Sequence, residues 1–406
     1  MRRQRGRIGL MAAAVVAAMA SAAVADVTTE QSSSILVFPK VIADGSRDTI
    51  IQITNTSNSM VHAHCFYVNA APVLPDEPPG PGNPPQWVEI DFDIWLTKQQ
   101  PTHWVVSEGR LVNPADGRCT PFDFSCNGAG FDPGRVPPQV EDFEGELKCV
   151  EVDASGAPLA GNHLKGEATL MAVDRCKNFV EDDADLECAS DTTITCTSQF
   201  ECPGTTGDVA KYNALGVFGL ETLNDDPILC LGGEPSDDCP LGAEYNACPD
   251  TWILNHFVDD VDDPVLEVAN PATFDTEVDT SITIVPCTQD FESQVPESVT
   301  IQIEVFDEFE SPFSASTTIT CWAELDLDDI SNVFEGPPTG PLDGTFAQTR
   351  FRSSRSTDSG FMIVACETHS IEGTSTEAES TAAFNLVVEG ERPGDQIRIP
   401  FDQLIP

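Results

Sequence analysis

Short apolar runs, separated at close intervals by Gly, Pro, Asn and Asp, set the pattern of this chain. Ile35-Leu36-Val37-Phe38 is followed by a β-branched run at residues 48–53 and a further short run at 61–66, and another β-branched run stands at 299–305. Residues 87–94 alternate polar with apolar, as a strand does when one face is buried and the other wet. Beyond residue 25 no long stretch keeps the 3.6-residue period of a helix. The pattern predicts an all-β protein.

The runs recur in order. Residues 35–39, 48–53 and 61–66 are echoed at 282–286, 299–304 and 318–322, and residues 145–150 and 168–173 at 362–367 and 382–387. Self-similarity of this kind predicts two tandem antiparallel β-sandwiches of immunoglobulin-like type, at 29–174 and 273–406. Between them, 175–272 reads as a cysteine-rich, loop-rich, acidic linker or insertion, within which 251–257 has the look of a further strand that packs back on a sandwich. The opening of the first copy, Phe38-Pro39-Lys40-Val41 running to Thr54-Asn55-Thr56-Ser57-Asn58, resembles the first two strands of bacterial immunoglobulin-like domains of the periplasmic-chaperone type. The resemblance covers about thirty residues and implies a sandwich. It carries over no chaperone activity, because the arginine and lysine pair that grips a subunit carboxylate in that family has no identifiable counterpart here.

The N-terminus adds a compartment. Met1-Arg2-Arg3-Gln4-Arg5-Gly6-Arg7 leads into an apolar run at 8–25 that ends in Ala23-Val24-Ala25. This is the form of a secretory signal peptide at 1–25, cut after Ala25, which predicts a secreted, periplasmic or cell-surface protein without membrane insertion once the signal is gone. The formal charge is -47, and the leader holds four arginines and no acid, so the mature chain is more negative still. Such a charge repels nucleic acid and attracts cations. All 14 cysteines lie beyond the leader, and an even count in an exported protein reads first as disulfides. Equivalence of the two copies pairs Cys65 with Cys149 and Cys321 with Cys366. The other ten fall in Gly-, Pro- and Asp-rich stretches that suit local bridges.

Three groups of residues could carry chemistry. Met60, His62 and His64 share one face if 60–65 is a strand, and two imidazoles with a thioether would suit copper, or with His103 or His163 would suit zinc. Against this, Thr318 and Thr320 stand at the matching positions of the second copy. Acidic clusters at 181–187, 326–329 and above all Asp259, Asp260, Asp262 and Asp263 could supply oxygens to calcium, although none has the EF-hand spacing. Trp87, Trp95 and Trp104 with Tyr67 could form a sugar-binding platform. Hydrolase and nucleotide-binding motifs are missing from the sequence. The reading is a non-catalytic structural or adhesive protein with calcium as its one plausible cofactor and an unidentified cell-surface protein or glycan as partner. The alternatives are a metal-binding protein or metallo-hydrolase centred on His62 and His64, and a carbohydrate-binding module.

Overall fold

The computed structural model describes residues 27–44, 47–73, 85–109, 140, 142–172, 176–177, 186–188, 195–196, 209–220, 226–258, 276–293, 295–354, 359–371, 381–382 and 387–399. The first part supplies β1 (Val27–Thr28), β2 (Ile35–Ala43), β3 (Arg47–Asn55), β4 (Val61–Asn69), β5 (Val88–Leu96), β6 (Pro101–Val105), β7 (Phe143–Val152) and β8 (Leu164–Ala172). The middle supplies β9 (Cys176–Lys177), β10 (Leu186–Cys188), β11 (Thr195–Cys196), β12 (Val209–Asn213), β13 (Leu215–Val217), β14 (Ile228–Leu231) and β15 (Cys248–Phe257). The last part supplies β16 (Thr276–Pro286), β17 (Gln289–Asp290), β18 (Ser298–Phe306), β19 (Pro312–Thr320), β20 (Ala323–Asp326), a one-turn helix α1 (Leu327–Ile330), β21 (Phe346–Ser353), β22 (Phe361–Ile371), β23 (Thr381–Ala382), β24 (Val387–Arg392) and β25 (Asp395–Arg398).

The protein is all-β and almost wholly antiparallel. In the first half a central sheet of order β1-β13-β2-β7-β4-β5 faces an outer sheet of order β23-β12-β8-β3-β6. Leu36, Phe38, Cys65, Tyr67, Leu147 and Cys149 from the central sheet meet Ile51, Ile53, Ala168 and Leu170 from the outer one in a dry core. In the second half the outer sheet β19-β18-β21-β15-β24 packs on a junction sheet β20-β16-β22, with the small sheet β14-β25-β17 beside them.

The two halves are not beads on a string. Ile35, Val37, Phe66, Val68, Val150 and Val152 leave the central sheet by its other face and join one cluster with Ile282, Ile284, Phe291 and Ile363 of the second half. The central sheet is therefore buried on both faces. This explains why β2 is apolar apart from Lys40 and buried at every position, where a one-sided strand would alternate.

The middle segment contributes strands to both halves. β12 and β13 extend the two sheets of the first half, while β14 and β15 belong to the second. Residues 251–257 do form a strand, as expected, and it lies inside the second half's outer sheet between β21 and β24. Apolar alternation in 248–257 was the available signal.

Of the two staples expected from the repeat, Cys65 and Cys149 are bonded. They are direct partners on the adjacent strands β4 and β7, so the bond lies within the central sheet. Cys321 and Cys366 are not joined to each other, and both are buried thiols. Strand order is the reason. In the first half β4 lies against β7, whereas in the second half β20, which begins just after Cys321, lies on the far side of β16 from β22. One strand intervenes between the two sulfurs. Among the described residues, two further disulfides join Cys230 to Cys239 and Cys248 to Cys287. The first is local; the second ties β15 to the end of β16, and so the outer sheet to the junction sheet. The side chains of Cys119, Cys126, Cys176, Cys188, Cys196 and Cys202 lie outside the described residues, as does the leader.

Candidate functional site

The histidine strand is a charged seam. On β4, His62, His64, Phe66 and Val68 alternate onto one face, where Phe66 and Val68 pack on the second half, and the register of β5 sets Trp95, Asp93, Asp91 and Glu89 opposite them in turn. His62 donates from Nδ1 to the Asp153 carbonyl at 2.8 Å, and its Nε2 lies 2.8 Å from Asp93 Oδ1. His64 Nδ1 reaches the same oxygen at 2.9 Å, and its Nε2 sits 3.3 Å from Asp91 Oδ2. The second contact is a charge in range rather than an aligned hydrogen bond, since Nε2 has no hydrogen-bond partner. The His62 ring stacks on Trp95 with centroids 3.9 Å apart.

Burial would lower the pKa of His64, but the carboxylates of Asp91 and Asp93 outweigh it and raise it. Burial would raise Asp93, yet the two histidines hold it well below the usual carboxylate range. At the end of the row, burial and the neighbouring Asp91 push Glu89 up to about 7, and its Oε1 is buried without a hydrogen-bond partner.

The residues of the metal set expected from sequence are placed as follows. Met60 precedes the strand and is 57% exposed. His103 is exposed on β6 in the other sheet, and His163 is bonded to Glu151 at 2.8 Å. Neither joins His62 and His64, whose ring nitrogens are already turned to Asp153, Asp93 and Asp91. Among the described residues, the group of three potential metal-binding atoms lying within 4.8 Å of one another is Cys248, Cys287 and Asp395, and there the two sulfurs are bonded together. The aromatic platform is also taken apart. Trp104 is buried between the sheets, donating to the Tyr67 hydroxyl at 2.6 Å. Trp87 is buried against Phe291 of the second half, and Trp95 is stacked on His62. Asp259, Asp260, Asp262 and Asp263 lie outside the described residues. So do the side chains of the 181–187 cluster.

A second constellation, not foreseen from sequence, bridges the two halves. The ladder between β2 and β7 slips between Phe38 and Val41, and this bulge re-aims Lys40 away from the first core. The exposed backbone is used on both sides: the Pro39 carbonyl accepts from Trp322 Nε1 at 2.7 Å, and the Lys40 carbonyl from the Tyr212 hydroxyl at 2.5 Å. Lys40 Nζ then lies 2.6 Å from Glu324 on β20 and 3.5 Å from Cys366 Sγ on β22. Arg47 adds ion pairs to Glu324 at 3.3 Å and to Asp44 at 2.9 Å. Burial favours the neutral lysine, but Cys366 and Glu324 reverse this and raise the pKa of Lys40. The same two cations lower that of Glu324 against its burial. These groups line a cleft of about 270 Å³ with Asp326, Asp329 and Ser281. Deeper in the junction, Lys148 is fully enclosed with Glu146 and Gln289, and Cys321 lies in their electrostatic field. The one legible signal was a lysine in the middle of the apolar run 35–43.

Fold and sites together define a disulfide-bearing all-β protein whose halves are clamped by buried ion pairs. No family model and no curated protein matches the chain. A solved structure described as the cryo-EM atomic structure of broad bean stain virus aligns over 95% of this chain and 98% of its own, at 10% identity and a TM-score of 0.16. A likeness that weak carries no argument about fold or function.

Proposed function

We propose that this is an exported structural or adhesive protein of the cell envelope or extracellular space, non-catalytic, built from two immunoglobulin-like halves. The observation that carries the reading is the use of its reactive side chains: the histidines are spent on pairing β4 with β5 inside the central sheet, and the buried lysines and central aromatics on holding layers together. Disulfides inside the central sheet and between the layers of the second half suit an oxidising compartment. The outward face of β18 and β19 supplies an adhesive surface. Ser298, Thr300, Gln302, Ser314, Ser316, Thr318 and Thr320 form a hydroxyl- and amide-rich patch, and β19, an edge strand of 9 residues, has no charge in a chain of net charge -47. Edge strands of this kind accept a further strand through their backbone.

Two measurements test the reading. N-terminal sequencing of the protein recovered from outside the cytoplasm of expressing cells should begin at Asp26, with Cys65 resistant to alkylation until reduced. A cytoplasmic protein with reduced thiols would overturn export. Cells displaying the protein should adhere to a surface of their own envelope material, and Ser316→Lys with Thr318→Lys should abolish adhesion. Undiminished adhesion would remove the edge strand from the reading.

A further inference from the structure

We infer that Lys40 and Cys366 form a covalent N–O–S bridge that locks the first half of the molecule to the second. Three observations carry this. The Lys40 Nζ and Cys366 Sγ atoms are 3.5 Å apart, a gap that one oxygen atom spans with a small side-chain shift. Both side chains are anchored on buried strands of different layers, β2 and β22, so neither can swing far from the other. Both line the junction cleft, which is large enough to admit dioxygen beside them. Cys366 is a thiol rather than half of a disulfide. It is the sulfur for which sequence symmetry proposed Cys321 as partner, and the fold has set it against an amine instead.

The chemistry closes without any further reagent than dioxygen. The thiol, the lysine ammonium and one O2 give the S–O–NH link, one water and one proton. The S–H bond and two N–H bonds break, and S–O and N–O bonds form. Sulfur and nitrogen each lose two electrons, and the two oxygen atoms gain four. Oxidation of the sulfur first, to the sulfenic level, gives an electrophile that a nearby nitrogen can capture. Glu324 Oε1, 2.6 Å from Nζ, is the acceptor for the proton that must leave the ammonium before its lone pair is available. The product removes the charge of Lys40 in the layer that joins the halves and leaves Glu324 to its ion pair with Arg47. The bridge does not depend on export, since the only co-reactant is dissolved oxygen.

Mass spectrometry of the full chain, purified in air and digested without reductant, tests the bridge. The expected result is a linked pair of peptides, one holding Lys40 and one holding Cys366, whose mass is their sum plus one oxygen less two hydrogens. It should be absent from protein made and purified without oxygen, be released by a phosphine, vanish in Cys366→Ser and persist in Cys321→Ser. Lys40→Arg keeps the charge but removes the primary amine, and should likewise abolish the link. Complete alkylation of Cys366 in air-purified protein denatured without reductant would overturn the inference. So would a linked pair lacking the oxygen, or a disulfide from Cys366 to any other cysteine. All three readings come from the wild-type chain, so they stand even where a variant fails to fold.

Discussion

Asp93 is the residue on which the histidine seam turns, because one of its oxygens faces both His62 and His64. Asp93→Asn removes the charge that two imidazoles share, and should cost about 2 kcal/mol in denaturant unfolding at pH 6, as a charge-assisted contact does. The sign of the pH dependence follows from the two shifts. The pKa of His64 is raised on folding, so its contribution is fully present below the unfolded value of 6.5 and is lost as pH rises through the folded one. That of Asp93 is depressed, so its contribution is present above 3.8 and lost as pH falls through the folded value. Asp93→Asn should therefore cost most between those limits, and a cost that does not shrink on the alkaline side would refute the pairing. Glu89 has the opposite sign. Its folded pKa of about 7 lies above the ordinary 4.5, so ionisation opposes folding progressively across that interval. Glu89→Gln should leave stability unchanged at pH 4 and raise the melting temperature at pH 8. Equal melting temperatures at pH 8 would place Glu89 in water.

At the scale of elements, the β4–β7 pair holds the central sheet. It combines the Cys65–Cys149 bond, which closes a separation of 84 residues, with a close backbone approach at Gly145. Cys65→Ser should lower stability by about 2–4 kcal/mol, within the range of a bridge closing a long loop. A loss no greater than that of serine at an exposed loop position would show that the sheet holds without it. A Cβ at Gly145 would run into the Val68 carbonyl, so Gly145→Val should cost about 2–3 kcal/mol by forcing the strands apart. The periodicity of residues 35–38, 48–53 and 299–305 was enough to mark them as strands. Their neighbours were not legible. That β4 lies beside β7, while β20 lies across β16 from β22, is a matter of hydrogen-bond pairing between residues far apart in sequence. The repeat therefore foretold a Cys321–Cys366 bond that the second half's strand order does not allow.

For the whole molecule, the junction decides whether two halves unfold as one. Lys40, Arg47 and Glu324 make its ionic clamp, and removing one partner leaves a buried charge uncompensated. In protein made and purified without oxygen, where Lys40 keeps its ammonium, Glu324→Gln should cost roughly 3 kcal/mol, and thermal unfolding should split into two transitions as the halves uncouple. Exchanging both Lys40 and Glu324 for apolar residues of similar volume, Lys40→Met with Glu324→Leu, should restore most of the loss, because a well-packed apolar pair replaces an ion pair at little net cost. A single sharp transition in Glu324→Gln would mean that the apolar contacts of Phe66, Phe291 and their neighbours suffice to couple the halves.

The sequence by itself determined the all-β class, the position of the main strands and the bonding of Cys65 with Cys149, because strand periodicity and the local order of the repeat are written along the chain. Only the tertiary structure decided which faces meet. Burial of a sheet on both sides, the scattering of Trp87, Trp95 and Trp104, and the meeting of Lys40 with Glu324 and Cys366 all depend on the stacking of layers. Residues hundreds of positions apart become neighbours when apolar faces are driven out of water. Side-chain pattern reports that a face is apolar; it does not name the face against which it will pack.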